Sequence, residues 1–319
     1  MILILSTSTD YDTLCVVEWL RFYKKEFFRL NDDELMEGDC SVFYDGIDED
    51  KIYLKREGKI VYIKEIKVVW FRKFGFLKNH ELKLNRNSDI TRYLYSELSR
   101  LREILFEVLS DRKWLYKKGN MPTKLEVLRR ASYVGLNIPN TIITTSKEEL
   151  ISFFYENDKS IITKSIGSSA KIFWNDKSYF FRTYKIEDVV NIGESFSPSL
   201  FQGYIDKEYE LRVFYLDGKC YSMAIFSQSN PKTQVDFRLV DFRKLTRFVP
   251  YKLPKEIELK IDLLMRNLRL NTGSIDLVKS KKEGCYYFLE VNPAGQFGMA
   301  SFPCNYNLHQ KVADYLIKL

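Results

Sequence analysis

The sequence predicts a mixed α/β and α+β protein of several lobes, and three observations carry that prediction. The chain opens on an apolar run, Ile2 to Leu5, followed by a polar turn and an amphipathic segment, the pattern of a βαβ-like opening. From Asp89 to Leu109 the apolar residues Ile90, Leu94, Leu98, Leu101, Leu105 and Val108 recur at helical spacing. Farther on, short β patterns and helices follow one another without an internal repeat, which indicates packed layers rather than a solenoid.

In order, Ile2 to Leu5 reads as a buried strand and Ser6 to Asp10 as a turn. The next segment carries Leu14, Val17, Leu20 and Phe22 on its apolar side, and Glu26 to Leu30 is a second strand. Further β patterns lie at Ser41 to Tyr44, Lys51 to Leu54, Ile60 to Ile63 and Lys67 to Phe71, before the long helix, which Ser88 or Asp89 is placed to cap. Tyr116 to Pro122 is a turn-rich connector. Beyond it, Thr123 to Tyr133 is a helix ended by Gly135, Thr141 to Thr144 a strand and Lys147 to Tyr155 a short helix. Ile161 to Lys164, Lys171 to Trp174 and Ser178 to Thr183 read as strands of a small lobe. The last third has strands at Leu200 to Ile205, Glu210 to Leu216, Lys219 to Phe226, Gly273 to Val278 and Cys285 to Val291, with a helix near Lys255 to Leu268.

Composition sets the function classes. The chain of 319 residues is 45% hydrophobic, enough for two or three domain cores. Its net charge of +7 suits anionic ligands such as nucleotides or acidic peptides, but the basic residues are interleaved with acids, so nothing points to nucleic acid. Five scattered cysteines without a Cys-x-x-Cys pair fit reduced thiols in a cytoplasmic protein. Met1 to Leu5 lacks a basic signal-peptide region, and no segment offers about 18 apolar residues in a row, so neither secretion nor a membrane span is expected. His80 and His309 lie in no motif and read as surface or packing residues, which leaves the chemistry to carboxylates, lysines and arginines.

Three segments could carry that chemistry. On a strand, Glu290 and Asn292 share a face, and Asp276 on a neighbouring strand can reach the same spot; three hard oxygen donors suit Mg²⁺, while a polar solvent-facing hairpin explains them equally well. Lys164 ends a buried strand and precedes the small residues Ser165 to Ala170, which could approach phosphate; an ordinary turn with an exposed lysine is the competing reading. Glu210 and Arg212 share another strand face, as a nucleotide contact or as a structural salt bridge.

The order Lys124, Lys164, Gln202 to Ile205, Glu210-x-Arg212, Asp236-Phe237-Arg238, Asp276 and Glu290-x-Asn292 resembles the ATP-grasp superfamily, and within it the graspetide (ω-ester or ω-amide peptide) synthetases. Ile2 to Ser8, Trp70-Phe71-Arg72-Lys73, Asn271 to Asp276 and Glu290 to Phe297 together resemble the grasp-with-SPASM peptide maturases. The resemblance spans nearly the whole chain. It implies an ATP-grasp fold with a pre-ATP-grasp-like domain at 1–118, a central lobe at 119–195 and a C-terminal lobe at 196–319, with ATP bound between the last two. It further implies that Lys124 and Lys164 hold phosphates, that Ser168 and its small neighbours close over them, and that the backbone of Gln202, Gly203, Tyr204 and Ile205 meets adenine. Glu210 matches the ribose contact, and Asp276, Glu290 and Asn292 match Mg²⁺ ligands. Arg212 and Arg238 would neutralise the transferring phosphoryl group; Asp241-Phe242-Arg243 repeats the Asp-Phe-Arg string, and Arg247 is a further candidate.

The activity so implied is an ATP-dependent ligation. A side-chain carboxylate of a ribosomal precursor peptide becomes an acyl phosphate, and a Ser, Thr or Lys side chain of the same peptide closes the macrocycle. A leader segment of that precursor would dock on the central lobe, where Lys171 to Trp174 and Ser178 to Thr183 could form a hairpin around Asn175-Asp176-Lys177; an ordinary surface hairpin is the competing reading. The resemblance also suggests a homodimer. A RimK-like ligase that adds free amino acids and a non-catalytic nucleotide-binding regulator are the alternatives.

Overall fold

The apolar run at the amino terminus becomes an inner strand of a parallel sheet. The computed structural model describes residues 1–75, 89–117, 122–167, 171–174, 177–180, 183–230, 233, 237, 243 and 245–319. His80 and the proposed cap Ser88 lie outside them. Two units are distinguished by their internal contacts: Met1–Asn120 with Leu270–Thr272 and Pro293–Leu319, and Met121–Arg269 with Gly273–Asn292.

In the first unit, β1 (Ile2–Ser6) is buried throughout and leads into α1 (Tyr11–Phe22), whose N-cap Asp10 accepts the Thr13 N–H. The buried side of α1 is Thr13, Val16, Val17 and Leu20; Leu14 and Phe22 point outward, 42% and 73% exposed, contrary to the sequence reading. Spacing by threes drifts about 60° per step around an α-helix, so Leu14 and Leu20 cannot share one narrow stripe. Next come β2 (Phe27–Asn31), α2 (Asp32–Glu37), β3 (Cys40–Phe43), β4 (Tyr53–Arg56), β5 (Lys59–Tyr62), β6 (Val68–Phe71), α3 (Asp89–Val108) and β7 (Lys113–Leu115). The sheet order is β2-β1-β6-β7, parallel throughout, and β3-β4-β5 form a separate antiparallel meander. On α3, Leu98 and Leu105 are buried but Ile90 is exposed. The helix α2 and the three-residue β7 are absent from the sequence reading, both too short for a period to show.

An ion-pair cluster at the carboxyl end of β6 ties distant segments of this unit together. Arg72, 2% exposed, donates from Nε to Asp10 (3.0 Å), from Nη2 to Asp12 (2.8 Å) and from Nη1 to the carbonyls of Ala294 (2.7 Å) and Gly295 (2.8 Å). Asp12 accepts the N–H groups of Phe297 (3.1 Å) and Gly298 (2.9 Å), and its Oδ1 lies 2.9 Å from His309 Nε2. His309 is thus a buried packing residue, beside the rings of Phe297 and Phe302, with a polar partner. The Trp70 to Lys73 strand and the segment after Asn292, two of the strings that carry the family resemblance, meet through this one guanidinium. Gly298 is required here, since a Cβ would stand 2.6 Å from Asp12 Oδ1. Burial opposes ionisation of Asp10, but Arg72 and Lys73 overcome it and hold its pKa at about 2.

The second unit begins with α4 (Lys124–Tyr133), β8 (Thr141–Ser146), α5 (Lys147–Glu156) and β9 (Ile161–Lys164). A hairpin of β10 (Lys171–Trp174) and β11 (Lys177–Phe180), then β12 (Tyr184–Ile186) and β13 (Ser195–Gly203), complete its first part. Strands β12-β9-β13-β8 make an antiparallel sheet over a core of Leu150, Phe153, Phe154, Ile161, Val189 and Phe201. Each such side chain contributes about 1.5–3 kcal/mol by leaving water. The chain then runs through β14 (Lys207–Leu216), β15 (Lys219–Phe226), β16 (Arg247–Tyr251), α6 (Lys255–Asn267), β17 (Thr272–Ser280) and β18 (Tyr286–Asn292), and the strands form a second sheet in the order β16-β15-β14-β17-β18. Asp217 and Gly218, both at positive φ, close the tight turn between β14 and β15. β16 is missing from the sequence reading because Pro250 interrupts its pattern; its place at the sheet edge is where a proline is tolerated. No helix among the described residues is long and apolar enough to cross a membrane.

Candidate active site

The acids and cations of the second unit gather on one face of the five-stranded sheet. Residues two apart on a strand share a face, so Glu210 and Arg212 of β14 point the same way, as do Glu290 and Asn292 of β18. Arg212 Nη1 reaches Asp276 Oδ1 on β17 at 2.5 Å, which puts Asp276 on the Arg212 face. Asp276 is the direct cross-strand partner of Glu290, and Asn292 is paired with Ser274 one row farther along. Five of the residues singled out from the sequence therefore converge.

Three ion pairs run across this face with rising exposure. Lys207 Nζ lies 2.7 Å from Glu210 Oε1, with side chains 7% and 12% exposed; Arg212 and Asp276 follow at 14% and 23%. Lys124, in the first turn of α4 behind its N-cap Thr123, stands 4.0 Å from Glu290 Oε2 at 34% and 35%. A pair that open and that loose is the easiest to exchange for a ligand, whereas the innermost pair is part of the protein. Burial pushes the Glu210 carboxyl pKa up, and Lys207 and the Ser227 hydroxyl offset that rise only in part.

Two observations bear on what this face could hold. Arg212 Nε is buried and has no hydrogen-bond partner among the described residues, a donor left over for an anion such as a phosphoryl group. Asp276, Glu290 and Asn292 offer oxygen alone, the donor set that Mg²⁺ takes together with water and nucleotide phosphates. Among the described residues no group of three or more His, Cys, Asp or Glu side chains is placed to hold a metal ion.

The residues that the family resemblance assigns to the adenine hinge lie where β13 leaves its sheet. Gln202 is 1% exposed and its Nε2 donates to Thr141 Oγ1 at 2.8 Å, so its side chain belongs to the lobe. The Gly203 N–H donates to the Asn140 carbonyl and the Tyr204 N–H to the Ser160 carbonyl, both at 2.9 Å. Of the four hinge residues named from the sequence, Ile205 is thus the one whose amide no backbone carbonyl claims among the described residues. Lys185 lies over the Tyr204 ring at 4.9 Å. Gly203 cannot be larger: a Cβ would come within 2.6 Å of Asn157 Oδ1, whose amide is itself held by Asn140 Nδ2 and the Phe153 carbonyl. Gly203→Ala is accordingly expected to cost about 1–3 kcal/mol and to weaken nucleotide binding, with Gly203→Ala, Asn157→Ala recovering part of both in thermal melts and calorimetric titration. Equal losses in the single and double variants would remove Asn157 from the account.

The remaining candidates are placed differently. Lys164 ends β9, half-buried, opposite Leu200 of β13. Ser168 and Arg238 lie outside the described residues, as do Asp236, Asp241 and Phe242. Arg247 faces away from the site: it pairs with Phe226, which lies on the sheet face opposite to Glu210, and its guanidinium sits 5.7 Å from that ring. Lys207 and Ser227 escaped the sequence reading. A lysine three residues before a glutamate is too common to mark a site without knowing that both are buried.

No family model and no curated relative matches the chain. Solved structures do. The macrocyclase MdnC of Microcystis aeruginosa, bound with precursor peptide MdnA, superposes with a TM-score of 0.81 at 25% identity over 100% of this chain and 99% of that one. A RiPP-associated ATP-grasp ligase of Chryseobacterium gregarium, in complex with ADP and a leader and core peptide, gives 0.81 at 24% identity over 99% and 96%. The ATP-grasp ligase PsnB, complexed with minimal precursor, Mg and ADP, gives 0.74 at 18% identity over 99% and 96%. The fold is that of the ATP-grasp ligases. Two of these similar structures, MdnC and the Chryseobacterium gregarium ligase, were solved with peptide bound.

Proposed function

We propose that this chain is an ATP-dependent peptide macrocyclase. It activates Asp or Glu side-chain carboxylates of a ribosomal precursor peptide as acyl phosphates and joins them to Ser, Thr or Lys side chains of the same peptide, as esters or amides. The observation that carries the reading is the acid and cation face of the five-stranded sheet, in a chain with the full-length fold of enzymes bound to precursor peptides.

The residues divide the work by position. Asp276, Glu290 and Asn292 would hold Mg²⁺, which neutralises the nucleotide phosphates and polarises the γ-phosphoryl group when bound. Lys124 and Lys164 hold phosphates, Ser168 lies in the segment that closes over them, the 202–205 hinge receives adenine and Glu210 meets the ribose. A substrate carboxylate oxygen attacks the γ-phosphorus, the bond to the β-phosphate oxygen breaks and ADP leaves. Arg212, with its spare Nε–H, stabilises the negative charge of the acyl phosphate, and Arg238 is its partner in that role. A hydroxyl or amine then attacks the acyl carbon, loses its proton, and inorganic phosphate departs.

The lobes follow this division. Residues 1–118 form the pre-ATP-grasp-like domain and 119–195 the central lobe. The C-terminal lobe spans 196–319, and its last stretch, from Pro293, packs with the first unit. The β10 and β11 hairpin is the docking place for the precursor's leader. The five free cysteines fit a cytoplasmic enzyme, working as a homodimer without nucleic-acid or membrane partners.

Mass spectrometry of a candidate precursor incubated with the protein, ATP and Mg²⁺ tests the reading. Loss of about 18 Da per bond, dependent on ATP, is expected. An unchanged peptide, with ATP turnover stimulated by free amino acids instead, would replace the macrocyclase by a RimK-like ligase.

A further inference from the structure

We propose that Lys207 is a positioning residue of the nucleotide site, which together with Ser227 fixes the Glu210 carboxylate in the orientation that receives the ribose. The inference rests on Glu210 being the ribose contact. Both donors converge on one oxygen, Oε1: Lys207 Nζ at 2.7 Å and Ser227 Oγ at 3.0 Å. Two hydrogen bonds to the same oxygen set the rotation of the carboxylate plane and direct Oε2 elsewhere. Ser227, 1% exposed, is itself locked, its hydroxyl accepting from Gln228 Nε2 (3.0 Å) and its carbonyl from Thr233 Oγ1 (2.7 Å).

The pair stands where a positioning device is useful. Lys207 is the first residue of β14, two residues beyond Ile205 of the hinge, and the same strand carries Glu210 and Arg212 into the site. Among the described residues it forms the most buried ion pair of the second unit. Buried ion pairs contribute little to folding, because two desolvated charges cost about as much as their attraction returns, and an apolar pair of similar volume serves the fold as well or better. A lysine kept in this place, on the face that gathers the other acids and cations, is better explained by what Glu210 must do than by stability.

The test compares the full-length wild type with Lys207→Met, Lys207→Arg and Ser227→Ala. Binding of Mg·ATP and of Mg·2′-deoxy-ATP is measured by calorimetry, alongside steady-state KM and kcat for ATP with precursor. The wild type is expected to favour ATP over its deoxy analogue. Lys207→Met should weaken ATP about 10-fold and abolish that preference, with kcat held within about 3-fold. Lys207→Arg should restore most of both, and Ser227→Ala should move them the same way by a smaller factor. Should Lys207→Met fail to fold, Ser227→Ala decides. An undiminished ribose preference in folded Lys207→Met or in Ser227→Ala, or a fall in their kcat at unchanged KM, overturns the inference. A wild type that binds no ATP overturns the nucleotide reading itself, so the two failures are distinguishable.

Discussion

Asp276→Asn is expected to lower the rate of precursor condensation roughly 1,000-fold at saturating ATP, and Glu290→Gln to do nearly as much. Asp276 faces Arg212 at 2.5 Å and stands opposite Glu290 in the strand register, so both carboxylates belong to one small charged face. Asparagine keeps the volume and an acceptor for Arg212, which isolates the loss of negative charge from any loss of packing. The surviving activity should need more Mg²⁺, because a neutral amide oxygen is a poorer partner for a hard cation than a carboxylate. Mass spectrometry of the precursor across a magnesium titration reads both effects. A variant that condenses at the wild-type rate over the whole titration would take Asp276 out of the metal set and leave its ion pair with Arg212 as a structural feature.

The second large effect is expected far along the sequence from those residues. Arg72→Met should destabilise the protein by about 3–5 kcal/mol, since it leaves Asp10 and Asp12 buried without the guanidinium that both face. It also releases the carbonyls of Ala294 and Gly295. Arg72→Lys should recover only part of the loss, because one ammonium cannot reproduce the planar fork that serves two carboxylates and two carbonyls. Acid should separate the variants as well. The Asp10 pKa in the folded chain, about 2, lies below its ordinary value of 3.8, so its contribution is full above about pH 4 and is lost as the pH falls toward 2. That is about 2 kcal/mol in the wild type, and the slope over this window should shrink in Arg72→Met. Urea unfolding at pH 7, 4 and 3 measures all of this. Equal stability of Arg72→Met and wild type at pH 7 would mean that the cluster is not what fastens the 294–298 segment.

Much of the architecture is legible in the sequence because it is written locally. Ile2 to Leu5 reads as a buried strand, and the helices at 124–133, 147–156 and 255–267 are read as helices, the first also by the glycine that ends it. The helical period misplaced Leu14, where residues spaced by three drift around the helix, and Phe22, which stands about 200° round the helix from Leu20, and Pro250 hid an edge strand. The candidate site is legible only in part. Alternation on a strand puts Glu210 with Arg212 and Glu290 with Asn292, but no local rule says which strands are neighbours.

By itself, then, the sequence determined the kinds of element, the pairs of residues that share a strand face and the resemblance to the ATP-grasp ligases. Tertiary structure alone decided that β14 lies beside β17, so that Arg212 meets Asp276, and that Arg247 turns away from both. It alone buried Lys207 against Glu210 and joined Arg72 to carbonyls more than 200 residues away along the chain. The physical reason is one of range: periodicity and capping act over a few residues, whereas strand order, burial and the partners of a charge are fixed by how distant segments pack.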